Sequence, residues 1–226
     1  MLWDVDYTLL SASGLGNRLY AAVFKDMFGR NLTTVAPKAG RTDRAILLDT
    51  LVLAGVAEPR ARVDEFLAAL GRRVACLDGS VQAEVRALPG AAAAMTALAA
   101  AGLRQSVLTG NIRPLATVKL AAAGLGEHLD LDVGAYGDVH EVRAELVPVA
   151  RQAARTAYGV DFDGPATVLV GDTPLDVEAA LATEARAVGV ATGTFAAADL
   201  ISAGAHAVLP DLTDASLVLA AVTARP

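Results

Sequence analysis

From residue 103 onward, short apolar runs alternate with stretches whose apolar positions recur every three to four residues. The runs LRQSVLT (103–109), LDLDVGA (129–135), ATVLVGD (166–172), ARAVGVAT (185–192) and AHAVLP (205–210) read as strands. Residues 113–123, 142–158, 174–183, 196–203 and 213–224 read as helices. Strands that alternate with helices predict crossover units and a mostly parallel sheet. Right-handed crossovers make that a doubly wound α/β fold, a Rossmann-like three-layer sandwich. The opening run, MLW, is short for a buried strand of about 5–6 residues, so the natural start is expected upstream of Met1.

Residues 14–86 break the alternation. GLGNRLYAAVFKDMFG, RTDRAILLDTLVLAG and RARVDEFLAALGRRVACL are amphipathic helical patterns with no strand between them, and Pro89–Gly90 punctuate the return. The pattern predicts an α/β core of residues 1–13 and 87–226 with an all-helical cap, residues 14–86, inserted after the first strand.

Composition narrows the possible partners. Hydrophobic residues make up 54% of the 226, and the net charge is −6. With no basic stripe, neither nucleic acid nor an anionic membrane is an expected partner. The most apolar stretch, GAAAAMTALAAAGL (90–103), is too short to cross a bilayer. The first residues lack the basic start and long apolar region of a signal peptide. The single cysteine, Cys76, excludes an intrachain disulfide and reads as a small hydrophobe on a helix. A cytoplasmic protein, monomer or homodimer, is expected.

Parallel sheets bind ligands at the carboxyl ends of their strands. The first strand end carries Asp4 and Asp6, two residues apart and on one side. The run to 109 ends on Thr109, followed by Gly110 and Asn111, and the run to 172 ends on Asp172, with Asp176 four residues on. Each has an ordinary reading as a turn or helix cap. Together they converge on one edge. Clustered carboxylates repel unless a cation sits among them, and hard oxygen ligands suit Mg²⁺. Asp4 and Asp172 can hold such an ion, one aspartate can attack phosphorus, and Asp6 can donate and accept a proton. Thr109 and nearby N–H groups would hold phosphoryl oxygens.

These motifs carry a resemblance. DVDYT is similar to the first motif of the haloacid dehalogenase superfamily, VLTGN to its second and GDTPLD to its fourth. The helical block, GRTDRAILLDTL and LPGAAAAMTALAAAG resemble phosphoglycolate-phosphatase-like members. The resemblance implies a Mg²⁺-dependent phosphatase acting on a small phosphorylated metabolite. Asp4 matches the nucleophile and Asp6 the general acid/base, whose backbone carbonyl also reaches the metal. Thr8 matches the residue supporting that loop, and Thr109 the phosphate-binding hydroxyl with Gly110 and Asn111 beside it. Asp172 matches the metal carboxylate, and Asp176 a second acid near it. Family dehalogenases lack an aspartate at the Asp6 position, so phosphate-ester chemistry is favoured.

Two departures stand out. Tyr7 occupies a position where glycine is usual, and a tyrosine has no easy access to positive φ. The third motif supplies a cation, with Arg143 and Lys119 as candidates. Arg143 is preferred, because it lies 29 residues before Asp172 and its fork suits phosphate. Lys119 reads as a solvated helix lysine. Arg41, Thr42 and Asp43 either face the far end of the substrate or start a helix. His128, His140 and His206 are scattered, with His140 close enough to Arg143 to face the site. GLGNR (14–18) lacks the third glycine of a dinucleotide loop. The alternatives are a phosphomutase of the same superfamily and, from another class, a phospho-accepting receiver module.

Overall fold

A computed structural model describes residues 1–12, 14–77 and 81–224. Its strands are β1 (Leu2–Trp3), β2 (Leu10–Ala12), β3 (Val85–Ala87), β4 (Ser106–Val107), β5 (Val168–Gly171), β6 (Arg186–Val190) and β7 (Ala207–Leu209). Its helices are α1 (Leu15–Phe28), α2 (Asp43–Leu53), α3 (Pro59–Ala75), α4 (Val81–Glu84), α5 (Ala91–Ala100), α6 (Arg113–Ala122), α7 (Leu146–Tyr158), α8 (Pro174–Leu181), α9 (Ala197–Ser202) and α10 (Ala215–Thr223).

Five strands form a parallel sheet in the order β4-β1-β5-β6-β7. Every residue of β5 and β6 is buried, as expected where helices cover both faces. Alternate residues serve opposite faces. Trp3, Val107, Val170 and Val188 pack in a large core with α5, α6 and α10, whereas Leu2, Leu108, Leu169 and Ala187 pack in a second core with α7, α8 and α9. The expected three-layer α/β fold is present.

The expected strand at 129–135 is not. Asp130 accepts from the Asp132 N–H (3.1 Å), and Leu131–Val133 form a 3₁₀ turn. That local bond competes with a strand ladder. Only Ala135 pairs alongside Leu108, as a single parallel bridge. The stretch from 142 is also not one helix: Arg143–Glu145 form a 3₁₀ turn before α7 begins.

Residues between β2 and β3 form helices only, among the described residues. Tyr20 and Phe66 meet edge to face at 6.0 Å between centroids, and Phe24, Leu47, Leu51 and Leu70 fill the space between α1, α2 and α3. Where this block leaves and re-enters the sheet-bearing part, β2 and β3 pair antiparallel, Leu10 opposite Ala87. The sequence pattern does not anticipate this short ribbon. Cys76 is exposed just beyond α3, rather than packed as a small hydrophobe. No helix among the described residues is long and apolar enough to cross a membrane.

Candidate active site

The strand order reverses direction at β1, with β4 on one side and β5 on the other. This is the switch point at which open α/β sheets form a crevice. Asp4 follows β1, Thr109 follows β4 and Asp172 follows β5, so three distant segments deliver side chains to one place. They line a cavity of about 240 Å³, to which Gly16, Asn17, Tyr20, Lys38 and Ile46 of the helical block also contribute.

Asp4 is buried, and Arg143 Nη2 donates to its Oδ1 at 2.6 Å. The same guanidinium lies 2.6 Å from Asp176 Oδ1 and also donates to the carbonyls of Leu108 (3.0 Å) and Gly40 (3.3 Å). Asp176 Oδ2 accepts from the Thr173 N–H and hydroxyl, closing a capping box at the start of α8. Thr8 donates to Asp172 Oδ1 at 3.2 Å. A Cβ at Gly193 would collide with Asp172 Oδ2, so the loop after β6 approaches that carboxylate as only glycine permits.

Asp6 faces a different partner. Lys119 Nζ donates to both of its oxygens (2.8 and 2.7 Å) and to Asn111 Oδ1 (2.8 Å). Asn111 Nδ2 donates to Asp6 Oδ2 (2.6 Å) and to Thr109 Oγ1 (2.9 Å). The expectation that Lys119 is a solvated helix lysine is therefore wrong: its side chain is 6% exposed. Leu115, Ala116 and Leu120 are buried on the same helix, so Lys119 sits on the apolar stripe of α6, facing inward. Arg143 and Lys119 are both site cations, one on Asp4 and the other on Asp6.

Burial raises the pKa of Asp4, and the Arg143 guanidinium only partly offsets it; Asp176 adds to the rise. Asp172 is raised by burial and by the charges of Asp4 and Asp176. For Asp6, burial also acts upward, but the Lys119 ammonium and the bonds from Lys119 and Asn111 outweigh it, and the pKa falls. Adjacent carboxylates thus stand in opposite environments.

The donor set fits a hard divalent cation. Asp4, Asp172 and Asp176 each offer an oxygen within 4.8 Å of the others, all buried. Among the described residues, only Arg143 pairs with any of them, which leaves three carboxylates facing one guanidinium. Both Asp176 oxygens are engaged already, so Asp4 and Asp172 are the better ligands. The Asp6 carboxylate, turned to Lys119, is not available to that ion.

Tyr7 has φ 61°, the left-handed conformation normally left to glycine, and its ring is half exposed at the cavity. Its carbonyl accepts from Thr192 Oγ1 (2.5 Å). Of the segment 41–43, Thr42 is the N-cap of α2, accepting from the Ala45 N–H (3.2 Å) and donating to the Glu141 carbonyl (3.0 Å). Asp43 lines the cavity, where it accepts from the Tyr20 hydroxyl and from the Ile112 N–H (2.8 Å). The Arg41 guanidinium pairs with Asp49 (2.6 Å). A Cβ at Gly110 would collide with the Arg41 carbonyl, which ties this segment to the loop after β4. His140 is exposed and accepts from the Val142 N–H (3.0 Å), so it does not face the site.

The family model described as haloacid dehalogenase-like hydrolase matches residues 1–181. The chain belongs to that family. Solved structures share the fold of this hydrolase. A predicted phosphatase from Clostridium acetobutylicum matches with TM-score 0.68 and 17% identity, over 96% of each chain. A family hydrolase from Deinococcus radiodurans, with bound phosphate and sodium, gives TM-score 0.57 and 24% identity, over 98% of this chain and 94% of that one. A candidate β-phosphoglucomutase from Thermotoga maritima gives 0.58 and 17%, over 96% of each chain. No curated protein matches. In this haloacid dehalogenase-like hydrolase, the sequence names Lys119 as a candidate cation but misreads it as solvated, and it gives no sign of Tyr20 or Lys38 in the cavity. The signal for Lys119 was present: a lysine in register with Leu115, Ala116 and Leu120 has no route to water without breaking the apolar face.

Proposed function

We propose that the chain is a Mg²⁺-dependent phosphatase of the cytoplasm, hydrolysing a small phosphomonoester through an aspartyl-phosphate on Asp4. The observation that carries this is the pairing of two unlike carboxylates on one loop. Asp4 is held by Arg143 beside Asp172, which has no ion pair among the described residues, and Asp6 is held ionised by Lys119. Residues 14–86 serve as a cap over a core of residues 1–13 and 87–226, and the protein works as a monomer or homodimer.

In the first step an Asp4 oxygen attacks phosphorus while the ester P–O bond breaks, and the leaving oxygen takes a proton through Asp6. A phosphomonoester has a second pKa near 6, so a substrate arriving as the monoanion brings that proton. In the second step ionised Asp6 takes a proton from water, the water oxygen attacks phosphorus, and the Asp4–phosphorus linkage breaks to release inorganic phosphate. Thr109 and the N–H groups of Gly110 and Asn111 hold phosphoryl oxygens. Arg143 favours the ionised form of Asp4 against the burial that raises its pKa, and aligns it through bonds to Asp4, Asp176 and Leu108. Held by Asp4 and Asp172, Mg²⁺ would supply charge neutralisation of the phosphoryl group.

The test is a phosphate-release screen over small phosphorylated metabolites, with Mg²⁺ and with excess chelator. Metal-dependent release is expected. Release undiminished in chelator would overturn the metal assignment, and turnover with phosphoryl return to a sugar, without free phosphate, would replace hydrolysis by the mutase reaction.

A further inference from the structure

We propose that the protein has a second ligand site, for a small organic carboxylate anchored on Arg186, at the sheet edge opposite the catalytic one. β5 and β6 pair with Val168 beside Arg186 and Gly171 beside Gly189. Arg186 therefore stands at the amino end of β6, level with a residue four positions before Asp172. At ~3.3 Å per residue, about 13 Å of sheet separates the two edges.

Arg186 is 8% exposed. Its Nε donates to the Ala221 carbonyl of α10 at 2.9 Å, which uses one of five side-chain N–H bonds. An arginine present only to hold that helix end would need no more. The four N–H bonds on its terminal nitrogens have no acceptor and no ion pair among the described residues, and a buried donor without a partner is costly. These nitrogens are not sealed in protein, because Arg186 lines a cavity of about 310 Å³. His206 shares the lining. Its Nδ1 accepts from the Ala187 N–H at 3.0 Å, so the neutral ring carries its proton on Nε2, a second donor.

These donors set the chemistry of the ligand. A guanidinium fork matches the paired oxygens of a carboxylate or a phosphate. Glu184 decides between them. It lines the same cavity, two residues before Arg186, and has no ion pair among the described residues. That acid repels a dianion more than a monoanion, which disfavours phosphate near neutral pH. Pro165, Ala166, Ala185 and Val222 give the cavity an apolar wall, so the carboxylate carries a short hydrocarbon body. The volume is that of about ten waters at ~30 Å³ each, enough for a chain of a few carbons.

The probes are butyrate, acetate and inorganic phosphate. Each is titrated into the isotope-labelled, metal-free full chain near pH 7.5, at constant ionic strength, and followed by amide NMR. Butyrate should move the Ala187 and His206 signals saturably and leave Thr109, at the catalytic edge, in place. Its Kd should be about tenfold lower than that of acetate, because two further methylenes leave water, and at least tenfold lower than that of phosphate. Arg186→Gln should weaken butyrate at least tenfold. Ala224→Glu, an exposed change that places a second acid on the cavity lining, should do the same without touching the Ala221 contact and decides the matter if Arg186→Gln does not fold. Glu184→Gln should tighten phosphate at least threefold. Shifts that do not saturate, shifts confined to Thr109, or butyrate affinity unchanged in Ala224→Glu would overturn the site. Phosphate binding tighter than butyrate would overturn the carboxylate assignment.

Discussion

Replacing Lys119 by methionine keeps the stem and removes the ammonium. Three hydrogen bonds are lost, to both Asp6 oxygens and to Asn111 Oδ1, and Asp6 retains only the Asn111 amide. Breaking a fully buried ion pair costs about 3–5 kcal/mol. The Asp6 side chain is 31% exposed, so water recovers part of this, and about 2–3 kcal/mol is expected near neutral pH. For a chain of this length, that is a fall in Tm of roughly 4–12 °C. The pH dependence identifies the cause. In the wild type the Asp6 pKa is depressed, so its stabilising contribution is present above the unfolded value of about 4 and is lost as pH falls through the lower folded value. In Lys119→Met burial acts unopposed by the ammonium and lifts Asp6, so the folded protein binds the extra proton at mildly acid pH. The stability gap between variant and wild type should therefore be largest near pH 7.5 and shrink toward pH 4.5. Thermal melts by circular dichroism across that range, without metal, measure it. The double variant Asp6→Asn/Lys119→Met should recover most of the loss. A gap of the same size at every pH, or no recovery in the double variant, would refute the ion-pair account and leave only lost packing.

Tyr20→Phe removes the donor to Asp43 within the buried contact between the helical block and the loop after β4, and should cost about 1–2 kcal/mol, read as a lower Tm. Tyr7→Gly should relieve the left-handed strain at φ 61°, about 1–2 kcal/mol, against an unfolded-state entropy cost of about 0.4–1 kcal/mol, so the melting temperature should hold or rise slightly. Asp4 and Asp172 have raised pKa values, so the folded chain holds more protons than the unfolded one from about pH 4 into the neutral range, and stability without metal should fall as pH rises there. Saturating Mg²⁺ should raise the melting temperature and flatten that slope.

The carboxylates were legible because strand ends announce themselves: Asp4 and Asp172 each close an apolar run, and parallel sheets gather such ends. Thr8 and Asp176 followed from their spacing to those residues. The strand expected at 129–135 failed because Asp130 bonds its own backbone, a choice that apolar periodicity does not encode. Lys119 was misread because its alanine neighbours suggest a bland surface, while the partner that draws it inward, Asp6, lies 113 residues away. Tyr20, Lys38 and Asp43 meet only after α1 and α2 pack, and no local pattern records that meeting. The ribbon of β2 and β3 is three residues on each side, too short to show a period.

The central claim is that Asp4 carries the phosphoryl group. Borohydride added during turnover reduces an acyl phosphate to the alcohol, which converts the modified aspartate to homoserine, and mass spectrometry locates it. Homoserine at position 4, dependent on substrate and absent in Asp4→Asn, is the predicted result. Steady phosphate release with unmodified Asp4, or homoserine at another position, would contradict it.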